Sequence, residues 1–152
     1  MPETATLADQ FHALDAAQRR RVHLSLCHAA LEVWELYALT NGPLEYIESV
    51  VGTRQRVDSR LPAAALAAAQ AGREAPHVSA GYLEPLSALQ DDDLVLPENV
   101  LFAYYAIYNL YQKYARSAAI ADWTIVNQAL AAQAGGQNQI DLLEAAIRLA
   151  KN

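Results

Sequence analysis

A chain of 152 residues, 53% apolar and 18% charged, carries enough apolar material for one folded domain with its own core. A formal charge of -6 argues against a general nucleic-acid binder, which needs a basic surface to displace counterions from phosphates. The single cysteine, Cys27, excludes an internal disulfide framework and a cysteine-rich metal site.

Alanine makes up about a fifth of the chain, and the six glycines and six prolines fall between periodic segments, so the expected fold is all-α. Thr6 followed by Asp9 resembles a capping box ahead of Leu7, Phe11 and Leu14. Asp15, with Gln18 at the third helical position, caps a long helix whose apolar residues recur at Val22, Leu26, Ala29, Ala30, Val33, Trp34 and Tyr37. Leu24 and Leu31 lie on another side, which predicts a central helix. Asn41-Gly42-Pro43 ends it. A further helix is expected from Pro43 or Leu44 to about Arg56 or Asp58, carrying Tyr46, Ile47, Val50 and Val51 and weakened by Gly52. An alanine-rich helix follows over 63–71, then a loop over 72–81 and one or two helical turns over 82–90. Asp91-Asp92-Asp93 reads as an acidic turn.

Leu96-Pro97-Glu98 starts a second central helix over 100–114, apolar nearly all round. Asp122 or Ser117 opens the next, with Trp123, Ile125, Val126, Ala129 and Leu130, and Gly135-Gly136 closes it. Asn138 with Asp141 caps a last amphipathic helix bearing Ile140, Leu143, Ile147 and Leu149. The whole of 1–152 reads as a single-domain bundle of about six or seven helices. No apolar run approaches the roughly 20 residues of a membrane span. Residues 1–10 lack the basic start of a signal peptide, so a soluble, cytoplasmic protein is expected.

The densest polar group is His23, Cys27, His28, Glu32 and Glu35, at helical spacing but with no second ligating helix. A solvated face is the expectation, with Cys27 an inert buried thiol. No nucleophile elbow, phosphate-binding loop or dinucleotide fingerprint occurs, and no metal or cofactor is expected. Tyr104, Tyr108 and Tyr111 form a stripe, read as core whose hydroxyls reach partners at the rim. The alternative makes the stripe and the His23-to-Glu35 face the walls of a small-ligand or metal site, with an enzyme as one version of it.

Leu31-Glu32-Val33-Trp34-Glu35, together with Glu98-Asn99-Val100 and Ala103-Tyr104-Tyr105-Ala106-Ile107-Tyr108, gives the chain a general character similar to small helical immunity proteins of bacterial polymorphic and type VI secretion toxin systems. The resemblance implies a non-enzymatic protein that binds one cognate toxin and blocks its active site. No contact residue transfers from it. The expected partner-binding residues therefore come from charge and aromatic chemistry: Asp91, Asp92, Asp93 and Glu84, with Tyr82 as a nearby anchor. A homodimer stays open.

Overall fold

Asp15 and Gln18 begin the longest element as their spacing requires. The Gln18 amide donates to the Asp15 carboxylate at 2.8 Å, and the Asp15 amide donates to the Gln18 side chain at 3.0 Å, satisfying two donors at the helix start. The computed structural model describes residues 4–48 and 50–152. The elements in order are α1 (Thr4–His12), α2 (Ala16–Thr40), β1 (Glu45–Ile47), β2 (Arg54–Arg56), α3 (Leu61–Ala71), α4 (Pro76–Gln90), α5 (Glu98–Tyr114), α6 (Asp122–Ala131) and α7 (Gly136–Ala150). The described residues thus form an all-α bundle of seven helices with one small hairpin. No helix among them is long and apolar enough to cross a membrane.

α2 is the hub: α3, α5, α6 and α7 all pack on it, and α3 and α6 also pack on α5. α1 lies on α7, and α4 lies on α3. The two central helices meet through large rings. Trp34 of α2 stacks on Tyr104 of α5 at 4.9 Å between centroids, Tyr82 of α4 meets Tyr104 at 4.7 Å, and Tyr82 meets Tyr108 at 4.9 Å. Each large side chain buried this way contributes about 1.5–3 kcal/mol, and well-placed ring pairs add about 0.5–1.5 kcal/mol. The alanine face of α3 (Ala65 and Ala69 fully buried) lets its backbone approach α5 closely, so the tyrosine stripe is covered on that side.

Four expectations are corrected. The segment expected to be a helix from Pro43 or Leu44 is a hairpin, with Glu45 opposite Arg56, Tyr46 opposite Gln55 and Ile47 opposite Arg54. Its turn closes through Glu48 and Gly52, and Gly52 holds φ +72°, a left-handed value suited to glycine. Tyr46, Ile47, Val50 and Val51 are aromatic or β-branched, which favours a pleated strand over a helix. The loop expected over 72–81 is only its first few residues. Gly72 caps α3 at φ +67°, Pro76 starts α4, and Gly81 lies inside it because a Cβ there would meet both Leu61 methyls at 3.1 Å. Finally, Thr6 lies within α1 rather than at its cap, and Gly135, not Asn138, precedes α7; residues 1–3 lie outside the described ones.

The tyrosine hydroxyls divide sharply. Tyr111 accepts from the Ala75 amide at 3.1 Å, donates to the Ala75 carbonyl at 3.0 Å, and lies 2.6 Å from Ser79 Oγ. Tyr82 and Tyr104 are buried with hydroxyls that meet no partner among the described residues. Tyr111→Phe is expected to cost about 1–3 kcal/mol in urea unfolding, whereas Tyr82→Phe is expected to be neutral or stabilising, because it removes a buried oxygen that has nothing to bond. Equal losses for the two variants would refute this contrast.

Candidate functional site

The hairpin does not stand clear of the bundle. Its period-2 pattern turns Tyr46 inward, at 6% exposure, while Glu45 and Ile47 face out. The outward arginines are engaged across the strands: Arg54 meets Glu45 at 3.1 Å and Arg56 meets it at 3.6 Å. The opposite side of the hairpin faces the C-terminal half of α4. Between them lies a cleft of about 110 Å³ lined by Tyr46, Glu48 and Val50 from the hairpin and by Glu84, Ser87, Ala88, Asp91 and Asp93 from α4 and the turn after it.

Four carboxylates therefore share this small cleft. Glu48, Glu84 and Asp91 take part in no ion pair with the described residues. The backbone deepens the negative potential. Asp91 is the C-cap of α4, whose last turn carries no basic residue, and the Asp93 amide donates to the Ala88 carbonyl at 2.8 Å. Carboxylates thus crowd the negative end of the helix dipole, where cations are normally favoured. Tyr46 registers the field: burial pushes its phenol above the usual range, and the charges of Glu84 and Glu48 push it further. Val50, on the hairpin wall of the cleft, is 91% exposed, Val51 beside it in the turn is exposed, and Ile47 is exposed on the outward face.

Of the residues expected from sequence, Glu84, Asp91 and Asp93 come together here. Asp92 does not line the cleft; it occupies the left-handed turn at φ +61° and faces solvent. Tyr82 is corrected outright: it is fully buried against Tyr104 and Tyr108 and offers no surface to a partner. Its place as the aromatic element belongs to Tyr46. Tyr46 and Glu48 were missed because the segment was read as a helix. The alternation of Glu45, Tyr46 and Ile47 ahead of Gly52 was the signal available for a hairpin.

The residues of the alternative reading are not gathered at one place. His23 and Cys27 are buried, whereas His28, Glu32 and Glu35 on the same helix are exposed, so the expected solvated face holds only for those three. Burial pushes the Cys27 thiol up, disfavouring the nucleophilic thiolate. Its sulfur lies 3.9 Å from the Ala106 carbonyl.

His23 instead joins a polar knot between α2, α5 and the start of α6. Nε2 lies 2.7 Å from the backbone carbonyl of Asp122, which only accepts, so Nε2 carries the proton. Nδ1 then accepts from the Tyr114 hydroxyl at 2.6 Å. This places a neutral imidazole between one acceptor and one donor. Burial lowers its pKa from 6.5 to about 4, and the nearby charges of Lys113 and Arg19 add to that against the raising effect of Asp122. Burial alone would raise the Asp122 carboxyl. The Lys113 hydrogen bond and the charges of Lys113 and Arg19 outweigh it and hold the group below its ordinary value. Arg19 and Lys113 each reach that carboxylate at 3.0 Å. A shallow pocket of about 430 Å³ lies over this knot, but its charged groups are spent on one another.

Compared with protein-family models, curated proteins and solved structures, the chain shows no match.

The knot makes stability depend on pH with a definite sign. The folded pKa of His23, about 4, lies below its unfolded value of 6.5, so the unfolded chain binds more protons between those values. Stability is expected to fall by about 3 kcal/mol as pH drops through that window, with no further loss from His23 below it. Asp122 adds its own loss below its ordinary 3.8. Urea midpoints measured across the window check this; a slope as steep in His23→Gln as in the parent would contradict it.

Proposed function

We propose that this chain is a non-enzymatic protein-binding protein and that the acidic cleft between the hairpin and α4 is its contact surface for a basic partner. Its most concrete form is a cytoplasmic immunity protein of a type VI or related secretion system, which neutralises a cognate toxin by covering its active site. The observation that supports this reading is the set of carboxylates Glu48, Glu84 and Asp91, unpaired among the described residues and set at the negative end of α4. Keeping like charges together costs stability unless something cationic completes them. The exposed Val50 beside them, with Val51 in the same turn, supplies apolar area of the kind that holds an interface once formed.

The mechanism follows from these two features. The acidic face attracts a cationic cleft on the partner and raises the association rate, and the hairpin together with the end of α4 then covers that cleft sterically. Native mass spectrometry of the protein isolated from its own cells at modest salt tests the reading. The expected species is a stoichiometric complex with a second, basic protein that dissociates as salt is raised. A chain that carries a bound small molecule or metal instead overturns the reading. With the partner identified, Glu84→Lys combined with Asp91→Lys is expected to slow association by about tenfold or more at low salt, with dissociation less affected. Unchanged association kinetics would remove the cleft from the interface.

A further inference from the structure

The C-terminal half of α2 has a face that the bundle leaves open. Glu32, Glu35, Leu36, Leu39 and Thr40 are exposed, and their spacing puts them on one side of the helix, away from buried Trp34. Nearer the start of α2 the exposed positions are Arg21 and His28, as a solvated face requires. At the other end Leu36 is 64% exposed and Leu39 82%. A single exposed leucine is ordinary, but neighbouring ones that continue into hollows mark a contact surface. Both leucines do so. Leu36 lines one hollow with Val33, Tyr37, Pro97 and Val100. Leu39 lines another with Glu35, Ala38, Arg60 and Ala63. The two sets fall on opposite sides of α2, which makes this part of the helix a ridge between two hollows.

Charge supplies an independent observation. Glu35 takes part in no ion pair with the described residues. The Arg60 side chain is 92% exposed, and the carboxylate it meets, that of Asp58, stands 3.8 Å away. Glu35 and Arg60 line the same hollow without pairing to each other. One leucine thus has an unanswered carboxylate and a loosely held guanidinium beside it. A partner of one charge sign would satisfy one of these groups and repel the other. A second copy, turned about a two-fold axis, brings the same two groups in reverse order and satisfies both.

We infer that this face is the interface of a symmetric homodimer, in which Leu36 and Leu39 of each copy pack into the hollows of the other and Glu35 of each copy pairs with Arg60 of the other. A ridge set into the groove beside a facing helix is the ordinary way helices pack. Two leucines and their shallow hollows are a small patch against the roughly 800 Å² per partner of a standard interface. The dimer is accordingly one that dissociates on dilution. It uses none of the residues of the acidic cleft, so it stands or falls separately from the protein-binding reading.

Sedimentation equilibrium of the full chain from about 1 μM to about 1 mM tests this. The mass is expected to rise with concentration from the 16.6 kDa of the monomer toward twice that value. Leu39→Asp, at an exposed position, is expected to stay monomeric throughout with an unchanged circular dichroism spectrum. Glu35→Arg and Arg60→Glu are each expected to weaken association about tenfold or more, because each sets like charges against one another. An equimolar mixture of these two variants is expected to recover the dimer, since every contact across the mixed pair joins opposite charges. Both changes in one chain are expected to recover it as well. A monomer at every concentration, a dimer that Leu39→Asp leaves intact, or a mixture that associates no better than either variant alone would overturn the inference. So would a complex with a different protein that Leu39→Asp abolishes while the parent chain stays monomeric, which would assign the face to another occupant.

Discussion

The structure depends on the packing of α2 against α5. α2 buries the stripe of Val22, Leu26, Ala30 and Trp34, α5 buries Val100, Ala103, Tyr104, Ile107, Leu110 and Tyr111, and burying one against the other still leaves apolar area to cover. The remaining helices meet that demand: α3 and α6 wrap both, α7 covers α2, and α1 and α4 close the outer gaps. The rings of Trp34, Tyr104, Tyr82 and Tyr108 run from α2 through α5 into α4, so α4 is held against the central pair at Tyr82. The acidic turn after α4 takes its position from that packing. The polar knot at His23 fastens the opposite end of the same pair, tying α2 to Tyr114 of α5 and to the first residue of α6.

The central helices were legible because their signals are strong and local. The Asp15 and Gln18 cap, the stop at Asn41-Gly42 and the start at Pro97-Glu98 act within a few residues, and each appears where its chemistry places it. The elements misread are those where distant contacts decide. Gly81 and Pro85 look like breakers in isolation, yet Gly81 is what lets α4 approach Leu61, and Pro85 is buried within the helix. The hairpin carries too few residues for its alternation to stand out, and Tyr46 is held inward by the bundle beneath it. The candidate site shows the same division. Its α4 carboxylates could be found from their clustering, but Glu48 and Tyr46 join them only through the strand pairing. Tyr82 failed as an anchor because a tyrosine beside acidic residues reads alike whether it points out or in; the ring partners Tyr104 and Tyr108 draw it inward.

Charge placement separates two kinds of polar group in this chain. At the knot each charge is answered: Arg19 and Lys113 meet Asp122, and His23 is neutral between a donor and an acceptor. Such an arrangement holds helices together and presents little to a visitor. At the cleft the placement runs against the helix dipole and brings like charges together. Local stability would not favour that pattern, and departures from local rules tend to mark sites kept for another purpose.

The hairpin leaves the bundle after Asn41 and returns before α3, and among its described residues Tyr46 and Val57 are buried in the core, with Leu44 packed against it. Among the described residues of its turn and outward face, Ile47, Val50 and Val51 are exposed and lie outside the core that holds the helices together. Sequence change there is therefore decoupled from the stability of the scaffold. If the cleft binds a partner as proposed, a lineage could rewrite the residues around Glu48 and Val50 to follow that partner while the tyrosine core stays the same. Divergence would then be concentrated in one short excursion of the chain, and related bundles would differ in what they recognise before they differ in how they fold.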